Sequence, residues 1–227
     1  MVINVEKVRE NIATAAHKSG REASDITLIG VTKTVGVQRI RELIQAGVTH
    51  LGENRVQEFL PKYVELSTQN PTWHFIGHLQ RNKVKQVVDK VSLIHSIDNM
   101  DLILEVNKRA EIIKKRVDVL LEINIANEPS KYGILPENAK EMAKRMFELT
   151  YVNFRGIMCV APFVENGEKN RSLFKKMRKI SVDIAEFIPY TARPPEISMG
   201  MSGDYCVAIE EGATMVRIGT ALVGDRH

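Results

Sequence analysis

Apolar positions along the chain follow two alternating rhythms. In EKVRENIATAAHKSG, residues Val8, Ile12, Ala15 and Ala16 recur at helical spacing and Gly20 stops the run, which predicts an amphipathic helix ahead of any strand. ITLIGVTKT, from Ile26 to Thr34, is instead short, nearly continuous and rich in β-branched residues. That is the pattern of a strand buried on both faces, with Lys33 as its last strand position. The rhythms then alternate. VQRIRELIQAG reads as a helix, VTHLGEN as a strand, RVQEFLPKYVELS as a helix and TWHFIGH as a strand. LQRNKVKQVVDK, NMDLILEVNKRAEIIKK, PENAKEMAKRMFELT, NRSLFKKMRKISVDIAEF and SGDYCVAIEEG continue as helices, between the strands VSLIHSID, VDVLLEINIA, NFRGIMCVA, PEISMG and ATMVRIGT. NEPSKYG is a loop, because Pro129 and Gly133 break both periods.

Eight strands alternating with eight helices imply right-handed crossovers and a parallel α/β sheet. That number of units favours closure into one (β/α)8 TIM barrel, a single domain spanning residues 1–227. The chain begins with a helix and stops soon after its last strand, so the N-terminal helix is expected to cover the seam where the eighth strand meets the first. A doubly wound open sheet is the alternative; no GxGxxG follows the first strand to support dinucleotide binding.

Composition changes this picture little. With 44% hydrophobic and 26% charged residues the chain is an ordinary globular sequence, long enough to bury a substantial core. Cys159 and Cys206 lie far apart without metal-ligand spacing and are expected to be small core residues. Charges at the N-terminus and the lack of a long apolar run speak against a signal peptide or membrane span, so a reducing cytoplasm is the expected compartment. The formal charge of +4 suits anionic ligands. The clusters RNKVK, KKR and KKMRK are expected on solvated helix faces; no stacking aromatics interleave them, so no nucleic-acid partner is implied.

In such a barrel, chemistry belongs at the C-terminal ends of the strands. The polar residues expected there are Lys33, Asn54, His78, Asp98, Asn124, Ser202 and the segment RIGT. A lysine ending a buried strand either snorkels to water or serves a pocket as a Schiff-base amine. Alternation points Arg217 inward with Met215 and Gly219, and puts His74 on one face with His78, as a core histidine or a contact residue. Ser202 and Gly203 open a predicted helix, while Gly219, Thr220 and Ala221 follow the last strand. Glycine in either place alone is ordinary turn punctuation; free N–H groups and glycines at both places, beside an inward arginine, favour a phosphate site.

GVTKT, HLGENRVQEF, WHFIGHLQRNK, HSIDN, NEPSKYG, RGIMCVAP and SMGMSGDYCVAIEEGATMVRIGTALVGDR resemble the pyridoxal-phosphate homeostasis protein family, whose barrel is similar to the N-terminal domain of alanine racemase. The motifs run from Val31 to Arg226 in family order. The resemblance implies that Lys33 forms the internal aldimine with pyridoxal 5'-phosphate, that Ser202, Gly203, Gly219 and Thr220 hold the phosphate, and that Arg217 faces the pyridine nitrogen. It also implies that Asn54 and His78 line the ring pocket; Lys131 matches a family position and is placed at the mouth. A lysine with free pKa near ~10.4 must lose its proton to attack an aldehyde, and a desolvated site beside a guanidinium is expected to assist.

Three functions stay open on these grounds. The first is a cytoplasmic, monomeric carrier of pyridoxal 5'-phosphate without turnover, with apo-enzymes as recipients and no metal. The second is an amino-acid racemase or related pyridoxal-phosphate enzyme, against which stands the lack of sequence for a second catalytic domain beyond the last strand. The third is a cofactor-free aldolase using Lys33.

Overall fold

The strands Thr27–Val31 (β1), His50–Glu53 (β2), Thr72–Phe75 (β3), Leu93–Ile97 (β4), Val117–Glu122 (β5), Val152–Met158 (β6), Glu196–Ser198 (β7) and Met215–Ile218 (β8) pair in chain order, and β8 pairs back onto β1. Every pairing is parallel. The sheet therefore has no free edge, as expected for the closed barrel. The structure is a computed structural model, which describes residues 4–188 and 194–224. The end of the GDR motif, Asp225 and Arg226, lies outside the described residues.

Helices Val5–Lys18 (α1), Val37–Gln45 (α2), Val56–Glu65 (α3), Val84–Val87 (α4), Met100–Ile112 (α5), Ala139–Phe147 (α6), Arg171–Asp183 (α7), Tyr205–Glu210 (α8) and Thr220–Val223 (α9) surround the strands. Between strands and helices lies one large apolar core. Ile29, Leu93, Leu120, Met158 and Met215 form a separate small cluster, the inward side chains of five strands. Apolar filling of the lumen is thus partial, and polar side chains complete it.

The seam helix is where the sequence places it. The buried stripe of α1 is Val5, Val8, Ile12, Ala15 and Ala16. Asn11 Nδ2 donates to Tyr205 Oη at 2.8 Å, and Arg9 Nη2 donates to the Gly47 carbonyl at 2.8 Å. These bonds tie α1 to α8 on one side and to the end of α2 on the other, across the β8–β1 junction.

Two local expectations differ. LQRNKVKQVVDK forms a 3-10 turn, Arg81–Lys83, and only the short α4, because its apolar positions Val84, Val87 and Val88 furnish a single turn's contact. The KKR cluster, Lys114 to Arg116, lies past the end of α5 in a loop; Lys114 is left-handed at φ 51 and breaks the helix there. Among the described residues no helix is long and apolar enough to cross a membrane.

Candidate functional site

β1 ends at Val31, so Lys33 sits in a turn two residues beyond the strand and not at its last position. Thr32 makes the last ladder-like bond, its N–H donating to Gly52 O at 3.0 Å, and Val35 N–H closes the turn onto Thr32 O at 3.0 Å. Thr34 adopts φ 60, an uncommon conformation for a β-branched residue. Buried charges behind the turn hold it. Lys62 Nζ on α3 donates to Thr32 O at 2.7 Å and to Glu53 Oε1 at 2.6 Å, while Thr32 Oγ1 donates to the same Glu53 oxygen at 2.6 Å. On the other side of Lys33, the Thr34 N–H donates to Glu58 Oε2 at 2.8 Å. The backbone is clamped on both flanks and the Lys33 side chain is exposed. The desolvated amine beside a guanidinium expected from the sequence is therefore not what this conformation presents.

Arg217 points inward as alternation requires. It is 4% exposed, and its Nη1 donates to Ser198 Oγ at 2.7 Å and its Nη2 to the Cys159 carbonyl at 2.7 Å. Burial lowers its pKa from the usual arginine value. Cys159 is a buried free thiol pushed up to about 12 by desolvation, an inert core residue.

The β1–β8 pairing puts Gly30 opposite Ile218, so the Lys33 turn and the Gly219–Thr220 segment leave the barrel side by side. Ser202 and Gly203 lie in the turn before α8; the helix starts at Tyr205, later than the sequence pattern predicts, because Asp204 accepts from Met201 N–H and from Asn170 Nδ2 and holds the turn open. Ser202 Oγ accepts from the N–H groups of Gly219 and Ala221, each at 3.2 Å. Two main-chain donors converge on one hydroxyl oxygen, with Gly203 and Thr220 exposed beside them. A phosphate oxygen in place of that hydroxyl satisfies the same donors with a charged acceptor.

Asn54 and His78 occupy the mouth at the ends of β2 and β3. A Cβ on Gly77 would stand 2.3 Å from the Asn54 carbonyl oxygen, so the two strand ends approach only because residue 77 is glycine. Asn54 Oδ1 is buried without a hydrogen bond among the described residues, leaving an acceptor for a ligand. His78 Nδ1 lies 3.2 Å from Asp98 Oδ2, and its ring stacks on Tyr132 at 3.8 Å and 10°. Lys131 pairs with Glu128 at 2.8 Å; Asn124 Nδ2 donates to the Glu128 carbonyl at 2.8 Å and fixes that loop. The sequence reading missed Glu122, which ends β5 facing the mouth and is 7% exposed. Burial and the neighbouring Asp98, opposed by Arg217, push its carboxyl up to about 7. The signal was available: Glu122 shares a strand face with Leu120 and Asn124.

These groups fit pyridoxal 5'-phosphate: paired amides for a phosphate, an exposed amine for an aldehyde, a guanidinium for a ring nitrogen and an orphaned amide oxygen for a ring hydroxyl. Among the described residues no cluster could hold a metal ion.

Comparison with known proteins shows the family and the fold. Residues 3–227 match the family profile described as alanine racemase, N-terminal domain. The chain is 45% identical over 222 residues to the pyridoxal phosphate homeostasis protein of Aquifex aeolicus, covering 98% of this chain and 96% of that one. It is 37% identical over 227 residues to the protein of that name from Escherichia coli, covering 98% and 95%. The structure of PipY from Synechococcus elongatus, solved with PLP bound, superposes with a TM-score of 0.80 at 31% identity, covering 93% of this chain and 99% of that one. Alanine racemase from Corynebacterium glutamicum shares the fold alone, at a TM-score of 0.68 and 13% identity, over 98% of this chain and 62% of its own.

Proposed function

The chain belongs to the pyridoxal phosphate homeostasis protein family, built on the alanine racemase N-terminal domain, and from that premise we propose that it holds pyridoxal 5'-phosphate for delivery without turning it over. The observation that carries this reading is the adjacency of an exposed lysine on a clamped turn and a loop whose two amides converge on one oxygen. Lys33 supplies the amine that captures the aldehyde. Gly219 and its neighbours Ser202, Gly203 and Thr220 receive the phosphate. Arg217 donates toward the ring nitrogen, and Asn54 and His78 border the ring. When bound, the cofactor supplies an electrophilic aldehyde on an electron-withdrawing ring.

The fixed positive charge of Arg217 cannot give the ring nitrogen its own proton, which weakens the ring as a sink for carbanion charge. That supports holding over turnover. We read residues 1–227 as one domain acting as a monomer in the cytoplasm, consistent with two free cysteines, with apo-enzymes that use the cofactor as recipients.

Titration of the purified protein with pyridoxal 5'-phosphate, followed by borohydride reduction and peptide mapping, tests the assignment. The label is expected on Lys33, and Lys33→Ala is expected to bind weakly through the phosphate with no reducible adduct. An adduct at the same site in that variant overturns the role of Lys33. Loaded protein incubated with L-alanine in deuterated water is expected to show negligible α-exchange and to pass its cofactor to an apo-enzyme. Rapid exchange with inversion, lost in Lys33→Ala, would make the protein a racemase.

A further inference from the structure

Beneath the mouth runs a line of buried polar side chains that cofactor capture does not require. His50 Nδ1, on β2, lies 2.9 Å from His74 Nε2 on β3; His74 Nδ1 lies 2.9 Å from His95 Nε2 on β4; His95 Nδ1 lies 2.9 Å from Ser198 Oγ on β7. Arg217 on β8 donates to that same Ser198 oxygen at 2.7 Å. His74, His95 and Ser198 are 3%, 0% and 0% exposed, and His50 is half-buried at the outer end.

The hydrogens along this line follow from one fixed fact: a guanidinium only donates. Ser198 Oγ accepts from Arg217, so its single hydrogen needs an acceptor, and His95 Nδ1 stands at hydrogen-bond distance. A hydrogen on His95 Nδ1 would leave the buried hydroxyl with nowhere to donate. His95 is therefore the neutral Nε2–H tautomer and donates to His74 Nδ1; His74 in turn donates from Nε2 to His50 Nδ1. The order is forced from the Arg217 end outward. An extra proton on His74 or His95 would set two donors face to face inside the barrel. Burial opposes that proton too, lowering His74 to about 3 and His95 well below the ordinary histidine value.

We propose that Ser198, His95, His74 and His50 form a positioning relay for Arg217, a one-way line of neutral Nε2–H histidines that holds the guanidinium in a single orientation for the ring nitrogen. The consequence for the ring rests on the function proposed above; the hydrogen order does not. An apolar lumen would fill the same space at less desolvation cost, so packing alone does not account for His74, His95, Ser198 and Arg217, four buried polar side chains on four strands.

Two measurements test this. Histidine 15N spectra of the cofactor-free protein near neutral pH, assigned by single-site variants, are expected to show His50, His74 and His95 as neutral Nε2–H rings. Ser198→Ala and Arg217→Met are each expected to release the order into a tautomer mixture at His95. A charged or Nδ1–H ring at His74 or His95 in the native protein, or an unchanged order in both variants, overturns the relay. On loaded protein, His95→Leu is expected to shift the visible absorption band. His95→Gln, whose amide can accept from Ser198 and donate to His74, is expected to restore it. Identical bands in native protein and His95→Leu overturn the positioning role. Failure of the native protein to form any band defeats the proposed function and leaves the relay to be decided by the cofactor-free spectra.

Discussion

Lys62 donates to the carbonyl oxygen of Thr32 at 2.7 Å, and Thr32 is the residue that delivers the chain to Lys33. The same ammonium is 2.6 Å from Glu53, whose carboxylate is fully buried. Removing one partner of such a pair leaves the other charge uncompensated, at a cost of about 3–5 kcal/mol. Lys62→Met is therefore expected to unfold at markedly lower denaturant concentration, and Lys62→Met with Glu53→Leu to recover most of that loss. In the recovered double variant Thr32 O has lost its donor, so borohydride-trappable capture should slow while phosphate-anchored affinity is kept. Stopped-flow absorbance reads the first and equilibrium titration the second; a native capture rate in the double variant would show that the clamp does not serve Lys33.

Ser202 and Thr220 should differ in their effect on affinity. Among the described residues the Thr220 hydroxyl has no hydrogen-bond partner to displace, so it can add a charge-assisted bond, whose loss costs roughly 1.5–3 kcal/mol, about tenfold or more in affinity. Ser202 Oγ already occupies the amides of Gly219 and Ala221, and a phosphate must take those donors from it. Ser202→Ala frees them in advance, offsetting the lost bond. Titration of the two alanine variants should therefore rank Thr220→Ala as the more damaging, and the reverse order would place the phosphate elsewhere.

What the sequence made legible is what short-range pattern controls. Strand and helix alternation specifies eight strands closed into a barrel, because buried apolar runs and amphipathic stripes are local. The inward face of Arg217 follows from a period of two. The Lys33 turn was displaced by two residues because the β-branched pattern of VTKT continues past the point where pairing stops. Lys62 shares a helical face with Val56 and Phe59 at spacings of three, a visible anomaly whose partner Glu53 only the packing of α3 on β2 identifies. The histidine line depends on register across neighbouring strands, with His50 opposite Thr72 and His74 opposite Leu93, which no single segment encodes.

The buried histidines make stability fall in acid. His74 has a folded pKa of about 3 against 6.5, so its contribution is intact above pH 6.5 and is lost as pH falls toward 3, where the unfolded chain takes up a proton that the folded one refuses. At ~1.36 kcal/mol per pH unit, about 2 kcal/mol should be gone by roughly pH 5 from this residue alone. Denaturant midpoints measured across that range in the native protein and in His74→Gln test this. The variant should lose the slope assigned to residue 74, and parallel curves would mean that His74 titrates normally.

Glu122 works with the opposite sign. Its folded pKa of about 7 lies above the ordinary 4.5, so the stability it contributes is fully present below pH 4.5 and is lost as pH rises through about 7. The cause is desolvation at the end of β5 first and the Asp98 charge second, with Arg217 opposing both. At ~1.36 kcal/mol per pH unit, the gap is worth about 3 kcal/mol, an upper bound because a side chain at the mouth relaxes toward water when it ionises. Glu122→Gln keeps the shape and removes the titration. It is expected to be more stable than the native protein above pH 7 and to show no slope from residue 122 between pH 4.5 and 7. Asp98→Asn provides an independent check, since withdrawing that charge should move the native break to lower pH without abolishing it. If Glu122→Gln leaves the pH profile of the denaturant midpoint unchanged, the carboxyl is solvated in the folded protein and Asp98 and burial do not act on it as described.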